Sequence, residues 1–110
     1  MNKKYLELTK LIRSKQNDHE ILKCLSNYHE NDIAGMLTVM TPKERKRIYT
    51  LLGPQKIAEI FAYLDEPQIY FSELSVKDAS KVVSLMDSDD AVDVLETLDD
   101  KKKYEIVENL

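Results

Sequence analysis

The residues best suited to chemistry in this sequence are carboxylates near its C-terminal end. Residues 82–100 contain seven acidic side chains and no lysine or arginine. Asp89 and Asp90 lie four and three residues before Asp93, so each is expected to share a helix face with it. Mg²⁺ prefers oxygen ligands of this kind, commonly one or two carboxylates together with several retained waters. A divalent cation site is therefore one interpretation of this acidic segment.

Two other interpretations of the acidic segment stay open on the residues alone. Asp87, Asp89 and Asp90 fall in the first turn of a predicted helix, where carboxylates can cap free amides and complement the helix dipole. Capping explains Asp93 and Glu96 less well, because the dipole effect fades after the first turn. A basic protein partner is the third interpretation, since it too would neutralise like charges that otherwise destabilise the helix.

The elements that carry these residues recur about every twelve positions. The last apolar residues of successive segments are spaced by 12, 12, 12, 10, 12, 12 and 12 residues; they are Tyr28, Met40, Leu52, Leu64, Leu74, Met86, Leu98 and Leu110. The blocks open, in order, with Asn17, His29, Thr41, Gly53, Asp65, Ser75, Asp87 and Asp99. Most of these are N-cap residue types. The clearest capping box runs from Thr41 to Glu44, with Pro42 at the first helical position.

Each block predicts one short amphipathic helix of about nine residues. Between Asp87 and Leu98, for example, Ala91, Val92 and Val94 follow helical spacing and predict one buried face. A helix that short is unstable alone, so it must bury its apolar stripe on its neighbours. The first sixteen residues predict a starting helix of the same kind. The sequence therefore predicts an all-α fold, a solenoid of short helices stacked as a superhelix.

Composition excludes several classes of protein. The 110 residues suit one domain, 1–110, and a net charge of −4 disfavours nucleic-acid binding. One cysteine allows neither an internal disulfide nor a Cys-rich zinc site.

No apolar run reaches the ~18 residues of a membrane span, so the segment is expected to be soluble, without direct membrane insertion. With no phosphate loop or nucleophile–base pair, no enzyme activity is expected.

The repeat pattern stops at Leu110 without a polar capping helix after it. Solenoids normally end in an atypical capping repeat. We therefore expect that the native chain continues, so that 1–110 is a fragment, or that a partner covers this end.

Three segments resemble the repeats of the N-terminal domains of MgtE-type magnesium transporters. They are residues 28–34 (YHENDIA), 51–61 (LLGPQKIAEIF) and 86–95 (MDSDDAVDVL), and they occur in the order and register of that family. In the first segment Glu30 stands where the family usually has proline. The similarity covers roughly residues 15–110.

This resemblance implies a right-handed superhelix and a regulatory function. MgtE-type transporters are homodimeric membrane proteins in which the N domain precedes a pair of CBS domains and the pore. In that family, Mg²⁺ held by acidic residues between the N and CBS domains closes the pore. By position, the resemblance assigns the metal site to Glu59, Asp89 and Asp93, with Asp90 adjacent. It implies Mg²⁺ as the bound ion, CBS domains of the same protein as partners, and a location on the cytoplasmic side of the membrane.

The alternative is a FliG-like flagellar switch domain, which is a protein-interaction module built from similar short repeats. The Glu-His-Pro-Gln motif of those domains would fall at residues 29–34, where this chain has His-Glu-Asn-Asp-Ile-Ala. That mismatch disfavours the flagellar alternative. A stand-alone helical scaffold that binds a protein partner is a third hypothesis.

Overall fold

The structure is a computed structural model that describes residues 3–14 and 17–110. Over these residues it contains nine α-helices and no strand, which confirms the all-α prediction. The helices are α1 (Lys3–Arg13), α2 (Asp18–Leu25), α3 (Glu30–Leu37), α4 (Pro42–Leu52), α5 (Pro54–Phe61), α6 (Pro67–Phe71), α7 (Val76–Leu85), α8 (Ser88–Thr97) and α9 (Asp100–Glu108). None of these helices combines the length and the apolar character that a membrane span requires.

The chain divides into two compact units, Met1–Leu52 and Gly53–Leu110. In the first unit α1 packs on α2 and α3, and α2 packs on α4. In the second, α7 packs on both α5 and α9, and α6 packs on α8. Within each unit a helix thus contacts the helix two positions along the chain, as expected for stacked repeats. The right-handed superhelix and the single domain 1–110 stay predictions.

The core of the first unit consists of aliphatic side chains from all four of its helices, such as Leu8, Ile21 and Ile33. It also contains a charged residue, because Arg45 is only 8% exposed. The Arg45 guanidinium donates to the carbonyl oxygen of Leu37, at 3.1 Å, and to that of Met40. These bonds give side-chain partners to the carbonyl of the last residue of α3 and to one in the turn that follows it. Arg45 therefore fastens the start of α4 to the end of α3.

Aromatic side chains form the centre of the second unit. The Phe61 and Phe71 rings meet edge to face with centroids 5.2 Å apart, and Tyr70 lies 6.1 Å from Phe61. Val82 of α7 and Ile106 of α9 are fully buried in the same unit. Full burial of side chains of this size stabilises a fold by about 1.5–3 kcal/mol each. This cluster anchors the C-terminal end of α5 and all of α6.

Side-chain caps begin the helices close to the predicted positions. The side chains of Asn17, Ser75 and Asp99 each accept a hydrogen bond from the backbone N–H three residues on, at 2.9, 3.1 and 2.8 Å. The predicted capping box of α4 is also present. Thr41 Oγ1 accepts from the Glu44 N–H at 3.2 Å, and Glu44 Oε1 accepts from the Thr41 N–H at 2.9 Å.

Two helix starts use backbone geometry in place of a capping side chain. Gly53 precedes α5 with φ of +81°, a conformation that side chains with a Cβ rarely adopt. The prediction that Asp65 opens the short block is wrong by one residue, because Glu66 holds the N-cap position of α6. Pro67 sets this start, since its fixed φ suits the first helical residue and its missing N–H needs no partner there.

Glu44 links the capping box to α1. Its Oε2 accepts a hydrogen bond from Arg13 Nε at 2.7 Å, while the Glu44 side chain is 11% exposed and that of Arg13 is 61% exposed. Burial on its own would raise the pKa of Glu44, but hydrogen bonds from Arg13 and Thr41 stabilise the carboxylate and hold that pKa below its ordinary value. The charged form of Glu44 therefore stabilises the first unit.

We expect Glu44→Gln to lower the free energy of unfolding by about 0.5–1 kcal/mol at neutral pH. Because the folded-state pKa of Glu44 is depressed, its contribution is present above the unfolded-state pKa and is lost as pH falls through the folded-state pKa. Urea unfolding at a series of pH values measures this difference. Glu20→Gln, at an exposed first-turn glutamate of α2, is the control. If the Glu44→Gln variant were still less stable than wild type at the lowest pH values, the stabilisation would not come from the charged form of Glu44.

Candidate metal site

The acidic residues predicted as metal ligands lie mainly on α8. Asp89 and Asp90 are in its first turn and Asp93 is in its second. Val94 is the one buried residue of this helix. Val92, which was predicted for the buried face, is 53% exposed. The physical reason is that α8 packs chiefly on the five-residue α6, so only a narrow stripe of its surface is covered.

Hydrogen-bonded capping does not account for the charge of α8. Asp87 occupies the N-cap position, yet its side chain makes no capping hydrogen bond. Over the described ranges 3–14 and 17–110, the carboxylates of Asp89, Asp90, Asp93 and Glu96 likewise form no hydrogen bond or ion pair. Asp89 and Asp90 gain from the helix dipole, whereas Asp93 and Glu96 lie beyond its first-turn reach. The helix thus carries negative charge that its own unit leaves uncompensated.

An open cavity of about 490 Å³ lies beside α8 within the second unit. Asp90 and Asp93 line one wall, and Thr97 lies one turn further along the same helix. The cavity is also lined by the turn between α5 and α6, including Asp65 and Glu66. Four carboxylates therefore border one cavity whose floor includes the buried side chains of Phe61 and Val94.

Asp65 and Glu66 are residues that the sequence prediction missed. Both are exposed, and neither side chain forms a hydrogen bond or ion pair with any residue that the structure describes. Their one indication in the sequence is the break in the twelve-residue period, since they occupy the block that is two residues short. The acidic run at 82–100 gave no reason to pair them with α8, because that proximity arises from the packing of α6 on α8.

The other predicted ligands lie outside this cavity. Asp89 is exposed on α8 and does not line it. Glu59 is exposed on α5, where its carboxylate accepts from Gln55 Nε2 at 3.4 Å and lies 3.8 Å from Lys56 Nζ. The structure thus brings Asp90 and Asp93 together at the cavity, and it leaves Glu59 with a local cationic neighbour.

The carboxylates of α8 can supply part of a metal coordination shell. No group of three or more His, Cys, Asp or Glu side chains within residues 3–14 and 17–110 is arranged to hold a metal ion. Mg²⁺ does not need such a group, because it retains several waters and commonly takes only one or two protein carboxylates. The exposed carboxylates of Asp89 and Asp93 and the half-buried one of Asp90 fit that chemistry, with the remaining ligands left to water or to another domain.

Comparison with known proteins gives two findings. The family model described as the MgtE intracellular N domain matches residues 28–110, well over half of the chain. Among solved structures, the crystal structure of the soluble part of a magnesium transporter is similar with a TM-score of 0.88 and 22% sequence identity. That match covers 97% of this chain and 43% of the other chain, so this chain spans less than half of its length. The identity is low enough that this structural match shows the fold alone. A search of curated protein sequences gave no match.

We expect the double variant Asp89→Asn, Asp93→Asn to keep its helical fold and to be slightly more stable than wild type without metal. Relief of each like-charge pair contributes about 0.2–0.5 kcal/mol, partly offset by the lost interaction of Asp89 with the helix dipole. Urea unfolding in metal-free buffer, at low and high NaCl, measures the change. High salt should reduce the stability difference between the variant and wild type, because it screens the repulsion between the carboxylates. A loss of stability above about 1 kcal/mol would instead assign these carboxylates a structural role.

Proposed function

The chain belongs to the family of MgtE intracellular N domains, and we propose that it is the magnesium-sensing regulatory domain of a magnesium transporter of that type. In this proposal the domain holds Mg²⁺ together with CBS domains of the same protein, on the cytoplasmic side of the membrane. Bound Mg²⁺ keeps the pore closed, and its loss at low magnesium concentration releases the pore. The transporter acts as a homodimer, and this domain catalyses no reaction of its own.

The observation that carries the proposal is the uncompensated charge of α8. Asp89 and Asp90 each lie about one helical turn before Asp93, and no basic side chain of the described residues neutralises the three. Such an arrangement destabilises a helix unless an external cation or a partner balances it. Family membership supports a divalent cation over a basic partner.

An incomplete ligand shell suits a sensor that must release its ion. A complete cage within one domain would bind Mg²⁺ whether or not the domains were assembled. Two or three carboxylates on α8 instead leave positions for ligands from a second acidic surface. Without the ion, two acidic surfaces repel each other; with it, each is attracted to the shared cation. Magnesium binding is thereby coupled to the contact between domains.

Asp93 and Asp90 are the residues with the most direct support, because they also border the cavity beside α8. Asp89 lies on the same acidic helix but outside the cavity. Glu59 rests on the family resemblance alone, and its contact with Lys56 weakens its charge as a ligand. We therefore rank Glu59 as a supporting residue of the proposed site.

The competing function is a protein-interaction module, either FliG-like or a stand-alone scaffold. For such a module the acidic residues would act as helix caps or as a surface for a basic protein. The missing capping bond of Asp87 counts against the first role. The family match counts against the flagellar alternative.

We expect the 110-residue chain to bind Mg²⁺ weakly, with a dissociation constant of roughly millimolar or higher, because α8 supplies only part of the shell. Titration with MgCl₂, followed by NMR shifts of backbone amides in α8, measures this binding. The shifts should disappear in the double variant Asp89→Asn, Asp93→Asn. The variant Asp78→Asn, Glu108→Gln is the matched control, since it removes two exposed acidic charges from α7 and α9. Tight binding by the wild-type chain would contradict an incomplete site.

In the full-length transporter we expect the same double variant to lose magnesium-dependent closure while keeping transport. The physical reason is that each carboxamide contributes no charge to the shared cation, so the closed arrangement loses its stabilisation. Ion flux into vesicles, measured at low and high internal Mg²⁺, tests this against the Asp78→Asn, Glu108→Gln control. An unchanged magnesium response would overturn the assignment of Asp89 and Asp93.

A further inference from the structure

The side chain of His29 caps the N-terminus of α3. Its Nδ1 accepts a hydrogen bond from the backbone N–H of Asn31 at 3.0 Å. Its Nε2 lies 3.5 Å from Glu30 Oε2. A neutral imidazole carries its proton on only one nitrogen, so Nδ1 can accept this bond only when the proton is on Nε2. Protonation of the ring turns Nδ1 into a donor and removes the capping acceptor.

The other helices of the described ranges begin with groups that behave differently on mild acidification. Asn17, Thr41, Ser75 and Asp99 cap with amide, hydroxyl or carboxylate oxygens. None of these oxygens gains a proton at pH values near neutrality, whereas histidine changes its charge between about pH 5 and 8. Acidification over that range therefore removes the side-chain cap of α3 and leaves the other four in place.

The titratable groups around His29 belong to the first turn of α3 and to α1 and α2. Glu30 and Asp32 lie in the first turn of α3. The preceding residue, Tyr28, donates to Glu7 of α1 at 3.1 Å, and the Cys24 thiol of α2 is a neighbouring titratable group. The His29 side chain is 61% exposed, so solvent protons reach it directly.

We propose that His29 is a pH-sensitive cap whose protonation releases the first turn of α3. The consequence is local to the first unit, where α3 contributes the buried residues Ile33, Ala34, Met36 and Leu37. Acidification loosens the start of this helix while the capping boxes and caps of the other helices persist. The proposal is independent of magnesium binding, which concerns the second unit.

NMR spectroscopy of the 110-residue chain tests the cap in two ways. At about pH 8 the imidazole ¹⁵N shifts of His29 should show a proton on Nε2 and none on Nδ1. Between about pH 8 and 5.5 the Asn31 amide should lose roughly two- to thirty-fold in protection from hydrogen exchange, after correction for the intrinsic pH dependence. That range corresponds to the measured contribution of N-caps.

Two variants separate this cap from general effects of acid. His29→Asn replaces the imidazole with a strong N-cap that does not titrate, so its Asn31 protection should stay constant over this pH range. His19→Asn removes the only other histidine and should behave like wild type. Equal pH dependence in His29→Asn and wild type would overturn the proposal. A wild-type His29 imidazole that carried its proton on Nδ1 at about pH 8 would also overturn the proposal. This measurement uses the wild-type chain and does not depend on whether a variant folds.

Discussion

Helices of five to eleven residues hold too few internal hydrogen bonds to persist alone in water. The main stabilising interaction in each unit is therefore the burial of one apolar stripe against the helix two positions along the chain. Caps such as the Thr41–Glu44 pair set where each helix starts, and buried side chains such as Phe61 and Ile33 determine what it packs on. Apart from the buried Arg45, the charged residues of the described chain lie at surfaces that this packing does not cover fully.

Helix α8 differs from the other helices in its charge. It buries one side chain, Val94, and concentrates acidic residues with no compensating base among the described residues. A segment that neither packs well nor balances its charge is locally inconsistent with its fold, and such inconsistency is typical of functional sites. The like-charged carboxylates that lower the stability of α8 are the same ones that are proposed to bind the cation. Both effects therefore depend on the whole acidic segment rather than on any single residue.

Periodicity predicted much of the fold because repeats fix both helix type and helix position. The spacing placed N-caps at Asn17, Thr41, Ser75 and Asp99, and each forms the expected bond. At the short block the same reasoning failed, since Pro67 determines the helix start more strongly than the period does. Val92 was misplaced for a different reason, because spacing defines a stripe on a helix but not how much of it a short neighbour covers.

The candidate site was only partly accessible to prediction. Asp89, Asp90 and Asp93 could be grouped from sequence because residues three and four apart share a helix face. Asp65 and Glu66 join Asp90 and Asp93 at one cavity through tertiary packing, which no local spacing encodes. The assignment of Glu59 came from resemblance, and nothing in its immediate contacts separates a ligand from a surface carboxylate paired with Lys56.

Within each unit, the packing of a helix on the helix two positions along the chain also affects how the polypeptide can fold. In the first unit α1 packs on α3, so both helices of this pair are present once the chain has reached Leu37. In the second unit α5 packs on α7, and that pair is complete at Leu85. Short sequence separations of this kind cost little loop entropy and favour rapid folding. Each unit can therefore assemble progressively as it leaves the ribosome, before its last helices have been synthesised.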